Sequence, residues 1–177
     1  MKAFIAVVAA MLLPIASQSA EVPIGKHQVI NGVEIGAVYL QPIKMEPEGM
    51  MKKVAESDIH LEADIHAAKD NPNGFAQGDW LPYLVVNYEL VKIGSGFKLS
   101  GELMPMVAND GPHYGDNVKV SGPGKYKLKL TVSPPSANMH NQFGRHVDKE
   151  TGVGPWFKPI ELNYEFTFAG TGKRGGY

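Results

Sequence analysis

The sequence contains no cysteine. This absence excludes disulfide bonds, thiolate metal sites, cysteine nucleophiles and a blue-copper centre, which needs a thiolate ligand. Neither charge is in surplus, because 17 basic residues are balanced by 18 acidic ones and the formal net charge is −1. Proteins that bind nucleic acid usually carry a basic excess, and this chain has none. We therefore expect no nucleic-acid partner.

The composition is that of a folded globular protein. Hydrophobic residues make up 44% of the 177 residues and charged residues 20%, which is unlike a disordered chain. The sequence shows no internal repeat, no low-complexity segment and no linker. Residues 21–177 are therefore predicted to form a single domain.

Residues 1–20 have the pattern of a secretory signal peptide. Lys2 is followed by an almost wholly apolar run over residues 3–16, and small residues at 17–20 offer a cleavage site after Ala20. No second apolar run approaches the roughly 20 residues that a membrane-spanning helix needs. We expect an exported protein without a membrane span, located in the periplasm.

Most of the remaining chain alternates between apolar and polar residues with a period of two. This alternation is typical of antiparallel strands with one buried face. The segments that show it or are otherwise strand-like are 33–39, 84–91, 97–107, 126–132 and 160–168. The only helix candidate is a turn or two at residues 50–56. The pattern predicts an all-β protein, best built as a two-sheet antiparallel sandwich and, as a second choice, as a small barrel.

The segment 58–66 carries an unusual row of ionisable side chains. Read as a strand, it directs five of them to one face, while the intervening apolar residues face the core. The five are Asp58, His60, Glu62, Asp64 and His66. Each taken alone is most simply a solvated surface residue. Taken together, two imidazoles interleaved with three carboxylates are the mixture that divalent metals select.

Two further stretches supply candidate ligands. Met104 and Met106 share a strand face, and a predicted turn at 109–112 delivers His113 close to Met106. Buried methionines are usually core residues, but a thioether beside an imidazole suits copper, above all Cu(I). Farther along, His146 lies in a long loop, where the carboxylate of the nearby Asp148 could fix its tautomer.

Signatures of catalysis are absent from the sequence. It contains no Gly-x-Ser-x-Gly elbow, no His-Glu-x-x-His motif, no phosphate-binding loop and no dinucleotide fingerprint. A copper–zinc dismutase would need more closely clustered histidines than the six scattered ones in this chain. We therefore expect a binding protein and not an enzyme.

Five stretches, at 21–25, 58–66, 103–107, 111–115 and 144–153, resemble the bacterial periplasmic iron-transport proteins. These are small exported proteins that accompany an inner-membrane high-affinity iron permease. The motifs are long and uncommon, and the resemblance runs through essentially the whole chain after residue 20.

The resemblance implies an immunoglobulin-like sandwich that forms a homodimer, with one principal metal site per subunit close to the dimer interface. By motif, the ligands would be His60, Met106, His113 and His146, with Glu62 adjacent. One of the histidines would come from the partner subunit. The resemblance also implies that the site binds copper tightly and that the protein handles iron in the service of uptake.

Three imidazoles and a thioether should favour Cu(II) over Fe(II), so iron needs copper as a resident cofactor or a separate oxygen-rich site. Glu62, Asp64 and His66 are the candidates for that second site. Because neutral imidazole is the ligand form, the sequence predicts weaker metal binding below about pH 6. Two other functions stay open: a copper chaperone or resistance protein without an iron role, and an interaction module that binds no metal.

Overall fold

The computed structural model describes residues 21–171. Within them the chain folds into nine strands, all paired antiparallel, and two 3₁₀ turns at Val54–Glu56 and Pro135–Ala137. The strands are β1 (Val22–Pro23), β2 (Gln28–Ile30), β3 (Val33–Leu40), β4 (Ile59–Ala67), β5 (Val85–Lys92), β6 (Lys98–Ala108), β7 (Gly111–Val118), β8 (Gly124–Ser133) and β9 (Ile160–Phe168). The signal-peptide prediction falls on residues outside this range.

The strands form one curled sheet in the order β1-β3-β4-β7-β6-β5-β8-β9, with β2 paired to β3. Strand β6 joins its two halves. Residues 98–103 of β6 pair with β5, whereas residues 104–108 pair with β7. One half of the sheet therefore contains β4, β7 and the end of β6, which are the three strands that carry all the candidate ligands except His146.

The apolar faces of the two halves meet in a common core. Tyr39 of β3 packs against Phe166 and Phe168 of β9, with ring centroids 5.5 and 6.0 Å apart. Burial alternates strictly along β9, as the period-two pattern predicts for a strand with one solvated face. The prediction of an all-β antiparallel protein is confirmed.

All five predicted strand segments correspond to strands of the structure, and the row at 58–66 corresponds to β4. The helix candidate at 50–56 forms only the 3₁₀ turn Val54–Glu56. Strand β7 was not predicted as a strand. Its sequence begins Gly-Pro-His-Tyr-Gly and resembles a loop, yet it lies between β4 and β6 as a central strand. No helix in residues 21–171 is long and apolar enough to cross a membrane.

Candidate metal centre

The register between β4 and β7 brings polar residues onto one face of the sheet. His60 lies opposite Asn117, and Glu62 lies opposite Gly115. Paired residues of an antiparallel ladder point to the same side, so all four share this face. The alternation in β4 directs Ile59, Leu61 and their apolar neighbours to the core and the ionisable residues to this opposite side.

Strand β6 adds the thioether. Met106 pairs with His113 across the β6–β7 ladder, and both lie on the same face as His60 and Glu62. The predicted proximity of Met106 and His113 is confirmed. It arises from direct strand pairing, because the turn between the two strands is confined to Asn109 and Asp110.

Three ionisable side chains converge at this point. Oε1 of Glu62 lies 3.5 Å from Nε2 of His60 and 3.4 Å from Nε2 of His113. All three candidate ligand atoms lie within 4.8 Å of one another, and the histidine ring centroids are 6.1 Å apart. This is the spacing of groups that can share one metal ion.

These side chains are buried, in contrast to the solvated face that base rates suggest for charged strand residues. The exposed fractions of His60, Glu62 and His113 are 0%, 5% and 5%. Burying a cluster of ionisable groups is costly unless they are neutral, paired or bound to a cation. Their convergence therefore calls for a partner of opposite charge or for protons.

Asn117 fixes the tautomer of His60. Nδ1 of His60 lies 3.0 Å from Oδ1 of Asn117, whose amide nitrogen donates to the carbonyls of Ile43 and Lys52. Because Oδ1 can only accept, the proton of the neutral imidazole is on Nδ1. The lone pair of Nε2 consequently points at Glu62 and His113, as in metal-ligating histidines held by an outer partner.

Nε2 of His60 is completely buried and has no hydrogen-bond partner. Buried polar atoms are almost always satisfied, so a buried acceptor without a hydrogen-bond partner is the feature expected of a metal ligand. Imidazole nitrogen, carboxylate oxygen and the neighbouring thioether are a donor set that suits copper. The residues present therefore fit the metal that the sequence suggests.

Gly115 forms the floor of the cluster. A Cβ atom at this position would lie 2.5 Å from Nε2 of His60 and 3.3 Å from Cε of Met106. The absence of a side chain thus leaves a small space beside the ligand nitrogen. The end of the Met106 side chain borders the same space, which brings its sulfur into the neighbourhood of the histidines.

Burial and neighbouring charge shift the acid–base behaviour of the cluster. Burial, together with the carboxylates of Asp64, Glu21 and Asp110, raises the pKa of Glu62 to about 8. Burial lowers the pKa of His60 to about 4, although its hydrogen bond to Asn117 opposes this shift. At neutral pH the metal-free cluster therefore holds a protonated Glu62 and a neutral His60.

Asp64 and His66 point into an adjoining depression of about 390 Å³. Its lining includes Glu21, Asp64, His66 and Asp110. Glu21 and Asp110 share a hydrogen bond, and burial followed by repulsion from Asp64 and Asp110 raises the pKa of Glu21. Several carboxylates are thus concentrated beside Glu62.

His146 does not join the cluster within the same subunit. Its side chain is 74% exposed. The loop that carries it is held by hydrogen bonds between its own residues. Nδ1 of His146 lies 2.8 Å from Oγ1 of Thr151, whose hydroxyl donates to Asp148. Because Thr151 uses its only proton on Asp148, it accepts from Nδ1–H of His146 and leaves Nε2 free. The predicted support by Asp148 is therefore indirect, since the carboxylate is 3.9 Å from Nδ1.

Sequence reasoning missed Gly115 and Asn117, and also the contribution of Glu21 and Asp110 to the acidic depression. For the first two, a signal was present. His113, Gly115 and Asn117 alternate in period two, which would have placed them on one face if 111–118 had been read as a strand. Glu21 is far from Asp110 in sequence and carries no comparable signal.

Fold and cluster together define an all-β protein with a buried His–Glu–His group of the kind that holds a metal ion. The chain belongs to the Fe2+ transport protein family, whose model matches residues 18–170. This finding confirms the resemblance to iron-transport proteins.

Relatives and solved structures agree with this assignment. A UPF0423 protein of Brucella abortus is 67% identical over 175 residues, which cover 96% of both chains. The copper-reconstituted P19 protein of Campylobacter jejuni is 52% identical, with a TM-score of 0.82 over 87% of this chain and 99% of its own. The copper-bound E46Q variant of FetP from uropathogenic Escherichia coli strain F11 is 49% identical, with a TM-score of 0.81 over 87% and 96%.

Proposed function

We propose that this chain is a periplasmic metal-binding protein that supports ferrous iron uptake and binds copper at a His/Met site near a dimer interface. The ligands are His60, Met106, His113 and His146, with Glu62 beside them. In this proposal the protein acts by binding and not by catalysis.

The observation that carries the proposal is the orphaned Nε2 of His60. It is aimed by Asn117, fully buried, and directed at Glu62 and His113. Burying these groups together costs free energy, and an interaction module that binds no metal would not offset this cost. The burial therefore argues against that alternative. Copper bound at this site would supply a tightly held cation that accepts imidazole, thioether and carboxylate ligands together.

The copper-bound forms of P19 and FetP support copper as the resident metal, and the family description supports iron as the cargo. Isothermal titration of the chain beginning at Glu21 with Cu(II) tests the first assignment. One tight site per subunit is expected. Absence of any site tighter than the micromolar range would overturn it.

Metal affinity should depend on pH through Glu62. Because the pKa of Glu62 is raised to about 8, binding of a cation must displace its proton at neutral pH. Affinity is therefore lost as the pH falls below 8, at about tenfold per pH unit for one released proton. His60, with its lowered pKa, contributes nothing to this slope above pH 5. Metal affinity should therefore begin to fall at a higher pH than the value near 6 that ordinary histidines predict.

A Glu62→Gln variant should bind Cu(II) more weakly than wild type at pH 8. It should also lose the part of the pH dependence of Cu(II) affinity that lies between pH 6.5 and 8. Without metal, it should gain thermal stability relative to wild type as the pH rises, because the raised pKa makes ionisation of Glu62 in the folded state costly. Titrations at four pH values measure the slope, with the exposed Glu102→Gln as the control. An unchanged slope in Glu62→Gln would disprove the role of Glu62.

We also propose that His146 completes the site of the partner subunit in a homodimer. The proposal is supported by the exposed side chain of His146, whose Nδ1 is hydrogen-bonded while its Nε2 is free. The loop that carries it is held by hydrogen bonds within the loop. The backbone amide of Val153 donates to the carbonyl of His146, and Arg145 donates to the carbonyl of Val153. A histidine held in this way is ready to be presented to another molecule.

Coexpression of His113→Ala and His146→Ala chains tests this arrangement. Each homodimer lacks a ligand at both sites, whereas a mixed dimer combines one intact site with one doubly defective site. Random pairing should then restore tight copper binding at about one quarter of the sites, as two-fold symmetry requires. If all four ligands came from one chain, no tight site would be restored.

For iron, we propose that the acidic depression holds Fe(II) beside the copper site. Asp64 and His66, predicted from the sequence, line it together with Glu21 and Asp110. Oxygen-rich donors suit a ferrous ion better than the thioether does. Replacing Asp64 and Asp110 by Asn should weaken Fe(II) binding at least tenfold and change Cu(II) affinity by only a few fold. Anaerobic titration measures both affinities, and wild-type iron binding by the double variant would exclude the depression.

Several further features complete the proposal. Residues 1–20 are a signal peptide cleaved after Ala20, residues 21–177 are one domain, and an inner-membrane iron permease receives the iron. The expression of the similar FetP in the periplasm of E. coli supports the location.

The packing of Tyr39 against Phe166 across the curled sheet supports an immunoglobulin-like sandwich.

The rival function is that of a copper chaperone or resistance protein, which the His/Met donors favour equally. Growth of a deletion strain separates the two functions. The iron-uptake proposal expects poor growth under iron starvation that iron supplementation corrects. The copper proposal expects sensitivity to added copper with normal growth under iron starvation.

A further inference from the structure

A group of aromatic side chains joins the loop of His146 to the connection between β4 and β5. Phe143 precedes His146 on this loop and stacks on Tyr83, with the ring centroids 5.1 Å apart and an angle of 16° between the ring planes. Its other neighbours are Phe75, at 6.3 Å, and Trp156, at 6.1 Å. These four rings, Phe75, Tyr83, Phe143 and Trp156, are called the aromatic clamp below.

Most of the aromatic clamp lies outside the common core of the sheet. Within residues 21–171, Tyr83, Phe143 and Trp156 neither belong to that core nor pack against it, and Tyr83 is 42% exposed. Aromatic rings that stack in this way attract one another beyond the effect of the area they bury. Because this attraction acts between two surface connections, it holds the loop of His146 in place and contributes little to the sheet itself.

The backbone of Tyr83 is unusual. Its φ of 60° lies in the left-handed region, which bulky residues rarely occupy. Such a conformation persists only where the surroundings fix it, and it is concentrated at functional sites. The carbonyl of Tyr83 accepts from the side-chain amide of Asn138 at 3.4 Å, on the same connection as Phe143. The ring and the carbonyl of Tyr83 are thus both directed at the connection that carries His146.

The loop is attached a second time beyond His146. The buried side-chain amide of Asn73 donates to the carbonyls of Gly154 and Pro155 at 2.9 and 3.0 Å. The backbone amide of Gly154 donates to the carbonyl of Pro72 at 2.7 Å. Since Pro72 and Asn73 also lie on the connection between β4 and β5, both arms of the loop rest on one support. His146 lies between the two attachments.

We propose that Phe143 is a positioning residue that sets where His146 is presented to the partner subunit. This inference rests on the proposed function, in which His146 completes the copper site of the partner. The contacts within the loop orient the imidazole, and the aromatic clamp places the loop as a whole. A ligand must be held close to its bound geometry, and residues that orient metal ligands are typically worth roughly 10- to 100-fold in affinity.

A double-mutant cycle between Phe143 and His146 tests the proposal by Cu(II) competition titration of the chain beginning at Glu21. Phe143→Ala should weaken Cu(II) binding by about tenfold when His146 is present. In the His146→Ala background the same substitution should change the affinity by less than about twofold, because the ligand that the clamp positions is gone. Phe143→Tyr keeps the stacked ring and should bind Cu(II) as wild type does.

The matched control is Phe97→Ala. Phe97 is also a partly buried ring, but it packs on Tyr126 beside the turn between β5 and β6. Its removal should leave Cu(II) affinity unchanged. Any general effect of losing a partly buried aromatic ring would appear in this variant as well.

Tyr83→Gly is a second variant that keeps the fold, because Tyr83 is exposed and glycine adopts a positive φ readily. It should weaken Cu(II) binding in the same direction as Phe143→Ala. In the metal-free protein, both variants should also speed the hydrogen exchange of the Val153 amide, which donates to the carbonyl of His146. Phe97→Ala should not change this exchange rate.

Two results would overturn the positioning role and leave the proposed function intact. They are wild-type Cu(II) affinity in Phe143→Ala, and an equal loss of affinity with and without His146. Sedimentation velocity provides a third, because a Phe143→Ala protein that no longer dimerises would assign Phe143 to dimer assembly instead. Wild-type affinity in His146→Ala would remove His146 from the proposed site, and the positioning role of Phe143 with it.

Discussion

A methyl group at position 115 should destroy the copper site. In Gly115→Ala the new Cβ would lie 2.5 Å from Nε2 of His60, a distance that real Cβ atoms essentially never show. The His60 ring must then move, but Asn117 holds its other nitrogen and the surrounding core is close-packed. We expect Cu(II) affinity to fall roughly 100-fold or more, at the upper end of what displaced metal ligands cause.

The matched control is Gly96→Ala, because a Cβ at Gly96 would meet nothing within 4 Å. It should leave Cu(II) affinity unchanged. Competition titration against a chromogenic chelator measures both variants, and circular dichroism checks that the β structure is kept. Wild-type copper affinity in a folded Gly115→Ala protein would show that Nε2 of His60 is not a ligand.

Loss of the Asn117 side chain should affect both the site and the fold. Asn117→Leu removes the acceptor for Nδ1–H of His60, and outer partners of this kind are typically worth 10- to 100-fold in metal affinity. It also leaves the amide of Ile43 and the carbonyls of Ile43 and Lys52 without their partner. We expect a loss of stability on the order of 2 kcal/mol, measured by urea unfolding of the metal-free protein.

Asn117→Asp distinguishes the two roles of this residue. An aspartate keeps an acceptor for Nδ1–H of His60 but cannot donate to the two carbonyls while ionised. The Asp variant should therefore bind Cu(II) more tightly than the Leu variant while losing stability as well. Equal copper affinities for the Asp and Leu variants would contradict the tautomer argument.

The strand content was predictable because the core is built from clean alternation. In β9, five apolar residues alternate with four polar ones, and the buried and exposed residues follow the same order. The row in β4 was predicted for the same reason. The burial of this row was not predicted, because what covers a sheet face depends on neighbouring strands that are distant in sequence.

The ligands were predictable to the extent that they are His, Glu and Met on recognisable motifs. Gly115 and Asn117 were not found, because β7 contains Gly, Pro, Asp and Asn, all of which are poor strand formers. Tertiary pairing with β4 and β6 overrides that local preference. Gly115 and Asn117, which shape the site, are therefore residue types that disfavour the strand in which they lie.

The measurement that tests the account most directly is a Cu(II) titration of the metal-free chain beginning at Glu21, followed by EPR, beside His113→Ala. The account predicts one tight, nitrogen-coordinated copper per subunit in the wild type and its loss in the variant. A wild type without a tight site, or a variant with the same spectrum and affinity, would contradict the assignment of the buried His–Glu–His cluster as the metal centre.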